Sequence, residues 1–131
     1  MYVLALEAST TSAKAMLYHR DTGETIVKTR NYPPMNSVEQ DPSIVYDALC
    51  EASRDLMAQH SDKEVGIVVI GGTWHSVMLL DDDFWPTTPC YAWNFTGASS
   101  IAQGHRTDSQ YIDNYYRKTG GIPNASFPFF K

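Results

Sequence analysis

The sequence predicts an α/β domain built on a mixed β-sheet. Three observations carry that reading. Short β-rich runs separated by turn residues open the chain, a long amphipathic segment follows Asp41-Pro42, and an unbroken apolar run extends from Val65 to Ile70. The order β-β-β-α-β is that of a sheet that starts antiparallel and gains a parallel strand through a helix.

Taken in order, Tyr2 to Leu6 predicts a buried first strand. Glu7-Ala8-Ser9-Thr10-Thr11-Ser12 is small and polar and reads as a turn. Ala13 to Tyr18 predicts a second strand, Asp21-Thr22-Gly23 a turn, and Glu24 to Arg30 a third strand that completes an antiparallel meander. Pro33-Pro34 breaks the chain. Asp41 is suited to cap a helix and Pro42 to its first position. Ile44, Val45, Ala48, Leu49, Ala52, Leu56 and Met57 then recur on one helical face, and the helix is expected to end near His60-Ser61-Asp62. Val65 to Ile70 predicts a fully buried parallel strand closed by Gly71-Gly72. Val77 to Leu80 predicts one more short strand, turning at the solvated Asp81-Asp82-Asp83.

Beyond Pro86, Thr87 to Trp93 reads as extended, and Ala98 to Gln103 and Ser109 to Lys118 as helices. Tyr111, Ile112, Tyr115 and Tyr116 share a face of the second, expected to be core, and Gly120-Gly121 stops it. Phe127, Phe129 and Phe130 lie in the last five residues. An aromatic ending is atypical of a domain terminus. It predicts truncation inside a domain, bare apolar surface, and self-association, most simply as a symmetric homodimer.

The composition, 43% hydrophobic and 19% charged, fits a globular chain with its own core. A formal charge of −5 and the lack of any Lys/Arg cluster exclude nucleic acid as the main partner. No apolar run reaches the ~18 residues of a membrane span, and the first one is too short for a secretory signal. Cys50 and Cys90 match no metal spacing and read as free thiols of a reducing cytoplasm. The sequons at Asn94 and Asn124 then read as chance matches.

Two segments can carry chemistry. Glu7 closes the first strand and is followed by Ser9, Thr10, Thr11 and Ser12, with Lys14 beyond. Hydroxyls and backbone amides bind phosphate oxygens, and a carboxylate holds Mg²⁺ directly or through water. The same residues also suit an ordinary polar hairpin. Gly72-Thr73-Trp74-His75-Ser76 follows the buried strand, where ligands of α/β sheets gather. Trp74 offers a flat apolar face for a sugar ring and His75 hydrogen bonds for its hydroxyls. A packed tryptophan and a core histidine would read the same way.

In this order, the pieces resemble the opening of the FGGY carbohydrate kinases. Glu7-Ala8-Ser9-Thr10-Thr11-Ser12 is similar to the family's Asp-x-Gly-Thr-[Thr/Ser]-Ser loop, and Glu39-Gln40-Asp41-Pro42 matches the segment before its first long helix. Gly72 to Ser76 with Leu79-Leu80-Asp81, Pro86 to Trp93, and Lys118-Thr119-Gly120 with Phe130-Lys131 resemble three later motifs, so the likeness runs the length of the chain.

The resemblance implies an actin-like, ribonuclease H-like fold of two lobes, of which residues 1–131 form part of the N-terminal one. It implies a kinase using ATP and Mg²⁺ on a small-molecule sugar, polyol or sugar acid, with a xylulose- or gluconate-type substrate favoured. Glu7 would position the metal, Thr10, Thr11 and Ser12 would contact phosphate, and Lys14 would neutralise developing charge. Trp74, His75 and Asn94 would line the sugar pocket. The family's catalytic base and adenosine-binding glycines lie downstream of Lys131, so the chain alone is expected to be inactive. The sequence departs from the family at three places: Glu7 replaces aspartate, Ser9 replaces the loop glycine and is expected to be strained, and Asn94-Phe95-Thr96-Gly97 lacks the usual Asp and Arg. These departures leave a second reading, a catalytically impaired sugar-binding or regulatory protein of the same fold.

Overall fold

The computed structural model describes all residues 1–131, in two units, Met1–Thr73 and Trp74–Lys131. In the first unit, β1 (Tyr2–Ala8), β2 (Ser12–His19) and β3 (Thr25–Asn31) form the predicted meander. The two-residue strand β4 (Glu39–Gln40), helix α1 (Pro42–Gln59) and strand β5 (Val65–Gly72) follow. The sheet order is β3-β2-β1-β5, antiparallel except for the parallel β1–β5 pair. Gly23 takes φ 74° in the β2–β3 turn, a conformation that a β-carbon would resist.

Helix α1 begins as its sequence dictates. The Asp41 carboxylate accepts the Ser43 amide at 2.9 Å, and Pro42 occupies the first turn. The helix lies across β2 and β3 and, less, β1. Its buried Ala52 and Leu56 meet Tyr2, Leu4, Ala15 and Leu17, with Leu6, Ile26, Met57 and Val65 at the margin. Arg30 of β3 forms an ion pair with Asp55 of α1.

The strand predicted to be fully buried is not. β5 forms in the expected place and direction, but it is an edge strand beyond the main reach of α1. Ile67 is 46% exposed, Val68 56%, Val69 46% and Ile70 77%. Its apolar run fits a strand covered on both faces, and residues 1–73 supply only one helix.

In the second unit, Val77 to Leu80 makes only single bridges, Val77 to Tyr91 and Leu80 to Pro86, instead of the predicted strand. The run is too short, and is turned too early by Asp81, whose Oδ1 accepts the Asp83 and Trp85 amides. The extended stretch forms the two-residue strand β6 (Cys90–Tyr91). Helices α2 (Ser99–Arg106) and α3 (Ser109–Thr119) follow. Asp108 caps α3, and Gly120 ends it in the left-handed conformation at φ 71°.

The core here is Ala98, Ala102 and Phe130, joined by Tyr115, Ala125 and Phe127. Phe130 is therefore core, contrary to the expectation of bare surface, while Phe129 is 74% exposed. Tyr111 stacks on His105 and Tyr115 packs near Phe130, but Tyr116 is exposed because it points off that face. No helix is long and apolar enough to cross a membrane, and both cysteines are free.

Candidate functional site

Glu7 sits in the last turn of the pleat of β1, in register with Lys14 on β2 and Gly71 on β5. The predicted turn is thus shorter than the sequence implied. Glu7 and Ala8 belong to β1 and Ser12 to β2, leaving Ser9-Thr10-Thr11 as the connection. Lys14 Nζ donates to Glu7 Oε2 at 3.0 Å, an ion pair whose two side chains stay about half exposed. Both point to the sheet face away from α1, at one end of an open groove floored by Ala5, Met16, Val27 and Val69.

Ser9 is not strained. Only His75 and Phe84 among the non-glycine residues have positive φ. The Ser9 amide and hydroxyl both donate to the Ser12 carbonyl, at 2.9 and 2.8 Å, closing the hairpin without a glycine. The buried Ser12 hydroxyl lies 3.2 Å from that of Ser9. The two carbonyls between them are held from behind. Gln40 Nε2 donates to the Thr10 carbonyl at 2.7 Å, and the Tyr32 amide to the Thr11 carbonyl at 3.0 Å. The Thr10 and Thr11 amides make no backbone hydrogen bond. A turn with its acceptors tied back and two donors free, beside an ammonium group, is suited to an anion.

Tyr32 was not singled out by the sequence. Its hydroxyl is buried without a partner, and burial, then the nearby Glu7 charge, push its pKa up. Its place just before Pro33-Pro34, at the end of a strand paired with β2, was the available signal. Gln40 belonged to a recognised motif but had no assigned role; it is buried and braces the turn.

No group of three His, Cys, Asp or Glu side chains gathers anywhere in the chain. Glu7 is the one candidate metal ligand at the turn, with one oxygen committed to Lys14. A single carboxylate fits Mg²⁺, which usually keeps water and substrate phosphate for its other positions.

The second unit carries Trp74, His75 and Asn94. Trp74 is 74% exposed, so it is not the packed core residue that the sequence also allowed. Its ring stacks on His75, with centroids 4.5 Å apart, and His75 in turn packs on Phe127 at 5.0 Å. His75 is held at φ 58°, a conformation unfavourable for a branched-off β-carbon. Asn94 places its Oδ1 in a buried position with no partner, as does the Ser76 hydroxyl.

Lys131 Nζ donates to the carbonyls of His75 at 2.7 Å and Ala92 at 2.6 Å. Burial lowers its pKa, partly offset by Cys90, whose own thiol is pushed up chiefly by burial. The nearby Ser76 hydroxyl offsets part of that rise.

Residues 2–131 match the FGGY family of carbohydrate kinases, N-terminal domain. A gluconokinase of Bacillus licheniformis is 29% identical over 138 residues, covering 99% of this chain and 26% of its own length. A xylulose kinase of Streptomyces rubiginosus is 32% identical over 134 residues, covering 98% and 27%. The gluconate kinase structure from Lactobacillus acidophilus superposes with a TM-score of 0.84 at 26% identity, over 98% of this chain and 27% of that one. The chain therefore spans about a quarter of the length of these relatives. The mixed sheet with its flanking helix is part of an actin-like fold. With a family match that runs from the first strand to the final lysine, and a strand-turn-strand opening of the same architecture, the chain belongs to the FGGY family of carbohydrate kinases.

Proposed function

We propose that the protein carrying this chain phosphorylates a hydroxyl of a sugar, polyol or sugar acid, and that residues 1–131 are part of its N-terminal lobe. The observation that carries this reading is the Ser9–Ser12 turn, with the Thr10 and Thr11 carbonyls held by Gln40 and Tyr32 and their amides unbonded. The Thr10 and Thr11 amides and hydroxyls, with the Ser12 hydroxyl, would hold phosphate oxygens. Lys14 would exchange Glu7 for developing negative charge, and the freed Glu7 would hold Mg²⁺. ATP supplies the phosphoryl group when bound, and Mg²⁺ neutralises its charge. Such catalysis rests on positioning and electrostatics.

Trp74 offers its exposed face to a sugar ring, and His75 and Asn94 offer hydrogen bonds to hydroxyls. A xylulose- or gluconate-type substrate is favoured by Trp74-His75-Ser76 and by the similarity to relatives named for those sugars. The two free thiols suit a cytoplasmic enzyme. No residue of the chain is proposed as the catalytic base, so the 131 residues alone should turn over nothing.

The test is sugar-dependent ADP release by the protein extended to the length of its relatives, with D-xylulose, D-gluconate and glycerol. Turnover on one of them, with a raised sugar KM in Trp74→Ala and His75→Ala, supports the reading. The Glu7–Lys14 ion pair favours a second one, because it leaves the carboxylate partly neutralised. Calorimetric sugar binding with no ADP release on any of the three would establish that impaired, sugar-binding protein instead.

A further inference from the structure

We infer that Lys131 is a positioning residue that fixes the backbone carrying His75 and Asn94, the two polar side chains of the sugar-facing group; its functional consequence rests on the sugar-site reading above. Lys131 forms no ion pair with a carboxylate; its ammonium group is spent on two backbone carbonyls, of His75 and Ala92, 17 residues apart in sequence. Hydrogen bonds from a charged donor are about twice as strong as neutral ones.

Each carbonyl is a control point. That of His75 sets the orientation of the peptide plane after a residue held at φ 58°. A non-glycine residue in that region is disfavoured and persists only when its surroundings over-determine it. Here they are the Lys131 grip on the carbonyl and the stacking of the ring between Trp74 and Phe127. The Ala92 carbonyl also accepts the Phe95 amide at 3.0 Å, closing the tight turn on which Asn94 sits. One cation therefore holds both the left-handed backbone of His75 and the turn that presents Asn94. Asn94 Oδ1 is buried and has no hydrogen-bond partner within the chain, so its acceptor capacity is unspent.

The experiment compares Lys131→Met and Lys131→Arg with wild type. In the 131-residue chain, the carbonyl ¹³C shifts of His75 and Ala92 report the grip, and the intraresidue amide–Hα NOE of His75 reports its left-handed backbone. In Lys131→Met both shifts should move and the NOE should weaken, whereas Lys131→Arg, which keeps charged donors, should restore part of each. Should the Met variant not fold, Lys131→Gln, with a neutral amide in place of the ammonium group, is read in its place. Unchanged carbonyl shifts and an unchanged NOE overturn the grip itself. In the protein extended to the length of its relatives, Lys131→Met should raise the KM for D-xylulose or D-gluconate on the order of tenfold, the scale of one charged hydrogen bond. The KM for ATP should stay at the wild-type value. A parallel loss in kcat and in both KM values would mark a merely structural lysine and overturn the positioning role. If Trp74→Ala and His75→Ala leave sugar affinity untouched, the sugar-site reading falls and takes this function with it, and the carbonyl shifts still decide the grip.

Discussion

Replacing Gln40 tests whether the turn after β1 is braced from behind. Gln40 is 5% exposed, and its Nε2 donates to the Thr10 carbonyl at 2.7 Å. Gln40→Met keeps nearly the same volume and shape but removes the donor, so it separates the hydrogen bond from the packing. The net value of a neutral hydrogen bond is about 0.5–1.5 kcal/mol. Thr10 is only half-buried, so water can partly replace the lost partner, which places the expected loss near the lower half of that range. Gln40→Ala removes the packing as well, and a further loss of about 1–2 kcal/mol is expected from the space left behind. Urea unfolding of the 131-residue chain measures both. Amide exchange at Ser9 and Tyr32, whose amides are hydrogen-bonded to Ser12 and Thr11 at this turn, measures the local effect, and should accelerate in both variants, because the turn can then open without global unfolding. Wild-type unfolding midpoints in both variants, with unchanged exchange at the turn, would refute the bracing and with it the preorganised anion-binding turn.

Three further outcomes are expected. In the protein extended to the length of its relatives, Glu7→Gln should remove most turnover while leaving sugar affinity nearly intact, since the role proposed for Glu7 is toward the metal and not the sugar; wild-type turnover would make Glu7 an ordinary strand residue. The chain should self-associate as its concentration rises, because β5 presents an open, uncharged edge with Val68 56% exposed, and Val68→Lys should reduce that association in sedimentation experiments. A strictly monomeric wild type would mean that the edge finds no partner. Cys90 should be alkylated more slowly than an unstructured cysteine peptide at neutral pH, because its raised pKa lowers the thiolate fraction. The sign for stability follows: the folded state keeps a proton that the unfolded thiol has lost, so this contribution is present below the ordinary thiol pKa and fades as pH rises through the raised one. Alkylation at the rate of the free peptide would refute the burial argument.

Local chemistry made much of this protein legible. The Asp41 cap, Pro42 and the apolar face of α1 were readable because a helix is specified by neighbours three and four residues apart. The β1–β2–β3 meander was readable for the same kind of reason, with alternation and turn residues sufficing. The motifs around Ser9, Gln40 and Trp74 identified the family because their order along the chain is itself a property of the sequence. Tertiary structure decided what depends on distant partners. Val65 to Ile70 reads as buried from its composition, but burial needs a covering layer, and α1 reaches mainly over the other strands. Ser9 looked strained because a family pattern has glycine there; its hydrogen bonds to Ser12 close the turn at an ordinary backbone angle. Gln40 meets Thr10 across 30 residues and Lys131 meets His75 across 56, pairings that no local periodicity encodes. A sequence displays the groups that can form such bonds, and only the folded chain selects which carbonyl each donor reaches.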